Sequence, residues 1–313
     1  MEQLILDERH TGLTVLGVLS DVFPDVTTAN LRRLIKLEGV LRNGLACGVR
    51  TVLATGDRLD LLPEGLPRIA PARLKGFSVL REEGDLLVCY KPPGVAIENE
   101  RNDDAFPLKS ALLHYLSARD PLPRPRIVHR LDRDTSGLLL VALSRDALRE
   151  LTRQLEAREV RKEYVALVTG CPREEGGVCE LSLTVGKQGR VLVDEAGKPA
   201  RTEWSVSERF KHHALLRVRP LTGRQHQIRV HLAAQGFPVA VDPLYGNRAP
   251  VLLSRYKLGY RPKCEEKPLL GRLGLHAARL SFTWGERELT VESELPKDLR
   301  VAVKQLGKWD AAE

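Results

Sequence analysis

Residues 126–140 read RIVHRLDRDTSGLLL. Apolar residues close to both ends, with Asp132, Asp134, Thr135, Ser136 and Gly137 between them, predict a strand, a polar turn and a second, more apolar strand. Two carboxylates therefore stand in one turn among His129, Arg130 and Arg133. On composition alone this is an Asx-type turn whose acids bond nearby backbone.

Outward from the turn, further strand-like runs appear: LLVCYK before it, then EYVALVTG and ALLRVRP after it. They alternate irregularly with helical stretches. Arg145 to Glu156 is one such stretch, with Leu148, Leu151 and Leu155 on one face and Ser144 placed as N-cap. The order is neither a strict βαβ repeat nor all-β, so the expected class is α+β with a mixed, largely antiparallel sheet.

Upstream, residues 62–76 (LPEGLPRIAPARLKG) hold three prolines and two glycines and read as a linker. The expected division is residues 1–64, a linker at 65–77, and a larger domain at 78–313. Within the first part Leu31, Leu34 and Ile35 recur at helical spacing, with Arg32, Arg33 and Lys36 outward and Gly39 placed to stop the helix. Arg42 is expected in the turn that follows.

Composition narrows the chemistry. The chain has 313 residues, 49 Lys+Arg against 41 Asp+Glu, and a formal net charge of +8, which favours a polyanionic partner. No apolar run approaches the ~20 residues of a membrane span, and the start MEQLILDERH lacks the features of a signal peptide, so a cytoplasmic protein is expected. Cys47, Cys89, Cys171, Cys179 and Cys264 include no CxxC pair, and the His residues have no metal-ligand spacing. GxGxxG, GxxxxGK[ST] and GxSxG are absent. Neither a metal nor a nucleotide cofactor is expected, and a monomer is.

HRLDRDTSG matches, at every fixed position, the HRLDxxTSG signature of the RluA family of pseudouridine synthases, which the chain resembles over roughly residues 78–300. DLLVCYKPPG (Asp85 to Gly94), KEYVALVTG, GKPARTEW and RPLTGRQHQIRVHLAAQGFPVAVDPLYG follow the family's order. LRRLIKLEGVLRNG with GDRLDL resembles the S4 RNA-binding module. Two departures stand at the edges: Val241 precedes Asp242 where the family commonly has Gly, and VAIENE follows KPPG.

The resemblance implies an enzyme that isomerises uridines of structured RNA, ribosomal or transfer, to pseudouridine. It places the catalytic aspartate at Asp132, acting as nucleophile or by removing a proton. It sets Arg229 as that aspartate's counter-charge and Tyr164 as the ring that stacks on the base, with its hydroxyl assisting removal of the C5 proton. Arg130 fills the space a flipped base leaves, and Asp134 falls at a position the motif leaves free. Thr222 and Gln225 suggest a capping box for the helix carrying Arg229, with Gly236 at its end. RNA contact is expected from Arg130, His129, Arg224 and, in the S4-like part, Arg32, Arg33, Lys36 and Arg42. The basic segment 247–272 reads as an insertion loop. Two competing classes are an RNA binder without chemistry and a base-releasing glycosidase, which usually needs a second acid.

Overall fold

Every residue of Ser136–Ala142 is buried, as a strand covered on both faces requires, and the computed structural model sets it inside a ten-stranded sheet. The structure describes residues 2–23, 26–36, 39–61, 74–97, 107–116, 125–186, 189–262 and 264–312. Most of the expected linker, and all but the first residues after KPPG, lie outside them. Packing divides the chain into two units, Met1–Ala72 with Leu113–Arg124, and Arg73–Leu112 with Pro125–Glu313.

In the first unit β1 (Glu2–Ile5), α1 (Val15–Val22), α2 (Thr28–Lys36), β2 (Val40–Arg42), β3 (Leu45–Ala46) and β4 (Arg58–Leu61) follow in order. The strands pair antiparallel as β1-β4-β2-β3. Leu31, Leu34 and Ile35 of α2 join Val18, Leu19 and Leu59 in one core, which leaves Arg32, Arg33 and Lys36 exposed. Gly39 N–H bonds back to Leu34 O, closing the helix as expected. Arg42 is a correction: it ends β2 instead of entering the turn. The turn is Asn43-Gly44, both at positive φ (51° and 80°), a conformation that Asn and Gly adopt in tight hairpins and arginine does not favour.

The chain continues through β5 (Ser78–Glu83), β6 (Leu86–Lys91), α3 (Pro107–Leu116), β7 (Arg126–Ile127), β8 (Ser136–Ala142), α4 (Arg145–Glu156), β9 (Arg161–Thr169) and β10 (Gly176–Glu180). Then come β11 (Leu183–Val185), β12 (Val191–Val193), β13 (Arg201–Arg209), β14 (His213–Pro220), α5 (Gln227–Ala234), β15 (Leu275–Trp284), β16 (Arg287–Glu292) and α6 (Lys297–Trp309). The large sheet runs β10-β13-β14-β9-β15-β8-β6-β5, with β7 on β8 and β16 on β15. Among the described residues only β15 and β8 pair in parallel; the class is the expected α+β. No helix among the described residues is long and apolar enough to cross a membrane.

Two local features set the frame. Ser144 caps α4 by accepting from Ala147 N–H at 3.1 Å, and Ala147 and Leu151 pack on Leu138 and Leu140 of β8. Gly137, at φ 121°, lies against β15: a Cβ there would stand 2.2 Å from Ala277 O and 2.6 Å from Ala277 N. Only glycine lets the two strands meet. The 247–272 segment closes on itself through a bridge between Val251 and Leu270, both buried in the core with Leu299 and Leu306 of α6.

Candidate active site

Asp132 stands in the turn between β7 and β8, where Thr135 N–H donates to its backbone O at 3.1 Å. Lys91, at the end of β6, is fully buried and donates through Nζ to Pro92 O (3.0 Å), Val95 O (2.9 Å) and Arg133 O (2.8 Å). The KPPG turn and the Asp132 turn are thus tied by one ammonium. Burial pulls the Lys91 pKa down to about 7, against the pull of Asp134 and Asp132.

Arg229 comes from α5, but the helix starts differently from the expected capping box. Gln227 is its first residue, and the N-cap is His226, at φ 51° and with no side-chain cap bond. Thr222 is engaged elsewhere: its hydroxyl donates to Gln227 Oε1 (2.6 Å) and accepts from Arg201 N–H (3.0 Å). Gln227 Oε1 also accepts from Arg224 N–H, and Gln225 Nε2 donates to Gly189 O at 3.4 Å, so both side chains that the capping box would need are engaged elsewhere. Gly236, at φ 91°, follows the helix as expected.

The Arg229 guanidinium joins two carboxylates. Nη1 donates to Asp132 Oδ2 at 2.9 Å, while Nε and Nη2 donate to Asp242 Oδ2 and Oδ1 at 2.7 and 2.8 Å. Asp242 is wholly buried and accepts further bonds from Leu244 and Tyr245 N–H. Burial opposes its charge, yet the Arg229 bonds outweigh that and hold its pKa below the ordinary range. Burial likewise opposes charge on Arg229, and Asp242 and Asp132 overcome it. Asp132 is the outer member, with 22% of its side chain exposed against 7% for Arg229. Its Oδ1 takes no hydrogen bond from any described residue.

Around this chain the Tyr245 ring lies 5.1 Å from the Arg229 guanidinium. The Tyr245 hydroxyl accepts from Val191 N–H at 2.8 Å, and so its proton is free to bond His226 Nδ1, also at 2.8 Å. That assignment leaves the His226 Nε2 proton toward Asp132 Oδ2, 3.9 Å away. Burial keeps His226 below its ordinary pKa. Val241, directly before Asp242, has φ 59°, a left-handed conformation costly by about 1–2 kcal/mol for a residue with a Cβ. This is the position where the resembled family carries glycine, and the buried valine side chain packs in the core with Leu270.

Tyr164 sits on β9 and is 8% exposed. Burial, then the charge of Asp132, push its hydroxyl above the ordinary phenol range, so it holds its proton at neutral pH. Asp132, Thr135, Lys162, Tyr164 and Arg229 line one cavity of about 90 Å³. The Thr135 hydroxyl is buried there without a hydrogen-bond partner. A wider cleft of about 750 Å³ shares Arg130, Lys162 and Arg224 with this cavity and adds Arg158, Arg161 and Arg219.

The structure therefore brings Asp132, Tyr164 and Arg229 together, with Arg130 and Arg224 on the shared wall. His129 is placed otherwise. Its Nε2 accepts from Leu140 N–H at 3.2 Å, and burial, helped by Lys162, drops its pKa to about 3. It braces β8 as a neutral ring and also lines the wider cleft beside Arg130. Arg42 is held by Asp57, with Nη2 2.7 Å from Oδ2. Asp134 lines neither cavity. Cys89 is a buried thiol pushed up to about 12. Sequence reasoning missed Asp242, Tyr245, His226, Lys91 and Lys162. Asp242 and Tyr245 had a signal in DPLYG, an acid and an aromatic three residues apart in a turn. Among the described residues no His, Cys, Asp or Glu group could hold a metal ion.

Residues 85–234 match the family described as RNA pseudouridylate synthase. The chain is similar to ribosomal large subunit pseudouridine synthase D of Yersinia pestis, 35% identical over 245 residues that cover 77% of this chain and 75% of the relative. A protein of the same name from Nitrosomonas europaea is 36% identical over 313 residues, 97% of this chain and 87% of the relative. Among solved structures, Human RNA Pseudouridylate Synthase Domain Containing 1 aligns with a TM-score of 0.53 and 27% identity, over 70% of this chain and 84% of that one.

Proposed function

The chain belongs to the RNA pseudouridylate synthase family, and from that premise we propose that Asp132 is the group that acts on the target uridine. The enzyme is an isomerase that converts uridine to pseudouridine in RNA. The bond from ribose C1′ to uracil N1 breaks, the base turns, C5 joins C1′, and the C5 proton leaves as N1 gains one. Nothing is added or lost.

The observation that carries the assignment is the ordered line Asp242, Arg229, Asp132. Arg229 fixes one oxygen of Asp132 through a 2.9 Å hydrogen bond, while the other takes no hydrogen bond from any described residue and stands at the cavity. A carboxylate held so is positioned to attack C1′ or to take a proton from the sugar. Tyr164 offers its ring for stacking on the base, worth ~1–3 kcal/mol. As a protonated phenol it enters the reaction as a hydrogen-bonding group rather than as a ready base. Arg130, exposed beside the cavity, fills the helix after the base is flipped.

The substrate is ribosomal RNA, as the names of the relatives suggest. Residues 1–64 form an S4-like arm and 78–313 the catalytic part. Within the arm, Arg32, Arg33 and Lys36 contact phosphate; Arg42 is already neutralised by Asp57.

The test is Asp132→Asn assayed on a large-subunit ribosomal RNA transcript by carbodiimide-primer extension, with mass analysis of the product. Wild type should give pseudouridine at unchanged mass. The variant should give none while still binding the transcript. Full turnover by Asp132→Asn would refute the assignment.

A further inference from the structure

We infer that Lys162 is the seat for a backbone phosphate of the RNA strand that flanks the isomerised uridine. The inference rests on the reading of the cavity as the uridine site.

Lys162 lies on β9 two residues before Tyr164, so both side chains leave the same face of the strand. Both line the small cavity with Asp132, and Lys162 also lines the adjoining cleft. Its ammonium lies close to the 220–224 turn, where a Cβ added at Gly223 would stand 3.8 Å from Nζ. It makes no hydrogen bond and no ion pair with any described residue. Burial alone lowers its pKa.

Lys91 offers a contrast. That lysine is fully buried, and three carbonyl oxygens receive it within 3.0 Å. Arg161 and Arg219 of the same cleft have acids nearby, Glu288 at 3.9 Å and Glu203 at 3.7 Å. Lys162 is half-buried where the small cavity meets the cleft and has no acid within ion-pairing distance among the described residues, so an anion entering there meets an uncompensated ammonium. A uridine within a strand carries a phosphodiester on each side. With its base against Tyr164, the position one step along the same face receives the neighbouring phosphate, and the cleft beyond holds the continuing strand.

The experiment compares full-length wild type, Lys162→Gln and Lys162→Arg in binding titrations on one transcript at several salt concentrations, with product formation by wild type measured on the same RNA. For Lys162→Gln the affinity should fall about tenfold and the salt slope should become shallower by about 0.9, the value for one neutralised phosphate. Lys162→Arg should restore both. An unchanged slope, whether or not affinity drops, overturns the inference, because a bond to a base carbonyl releases no counterion. A slope that Arg fails to restore overturns it as well, since the shape of the side chain rather than its charge would then matter. If wild type forms no pseudouridine on any transcript, the reading of the site fails and this inference falls with it.

Discussion

Arg229 serves two carboxylates of unequal burial, and the buried one decides where its guanidinium points. In Asp242→Asn the bidentate partner loses its charge, Arg229 is left largely uncompensated, and its hold on Asp132 loosens. Breaking a buried pair of this kind costs about 3–5 kcal/mol. A small displacement of a reacting group lowers the rate by roughly 10²-fold. Denaturant unfolding and single-turnover pseudouridine formation should show both, and an Asn variant with wild-type rate would mean that Asp132 needs no anchored partner. Lys91 makes a second prediction. Its folded pKa of about 7 lies below its ordinary value of 10.5, so between these pH values the unfolded chain binds more protons, and stability rises with pH. The penalty is complete below pH 7 and relieved toward pH 10. The unfolding free energy of wild type relative to Lys91→Met should therefore grow between pH 7 and 9.5; a flat difference would show that the three carbonyls keep Lys91 charged. Asp132 and Arg229 were legible through the family resemblance, because both fall on positions of motifs quoted from the sequence; residue type alone gave only an Asx-type turn. Asp242 and Lys91 were not legible as site residues, since their importance comes from partners that only the folded chain supplies.

The elements most readable in advance were those whose signal is local. Ser144 and the leucines of α4, or the unbroken apolar run of β8, state their structure within a dozen residues. The start of α5 was misread because Thr222 and Gln227 bond to each other and to β13, and such partners leave no trace in a window of sequence. The meeting of β8 and β15 was equally hidden, since Gly137 and Ala277 are far apart in the chain. That close approach yields a prediction. In Gly137→Ala the added carbon stands 2.2 Å from Ala277 O at a φ that alanine rarely adopts, so the strands must separate. Folded protein should be scarce, with loss of several kcal/mol. Alanine at this position with a wild-type melting temperature would show that the strands can yield at little cost.

At the scale of the whole molecule the excess of positive charge was the earliest sign of an RNA partner, and its distribution gives the next test. Replacing Arg32, Arg33 and Lys36 together by Gln leaves Leu31, Leu34 and Ile35 in place, so the first unit should stay folded. Affinity for a long structured transcript should fall and the salt slope should drop by up to ~2.7, about 0.9 for each phosphate no longer neutralised. Identical slopes would make this a solvated face with no part in binding. The sheet order carries one more consequence. β15 stands between β8, which follows Asp132, and β9, which bears Tyr164. Synthesis delivers Asp132, Tyr164 and Arg229 well before residues 275–284, and until then the two strands have no common neighbour to set their spacing. A chain that ends at residue 274 should therefore carry all three groups and form no pseudouridine, and activity from such a truncated protein would show that β8 and β9 find their spacing without the strand between them.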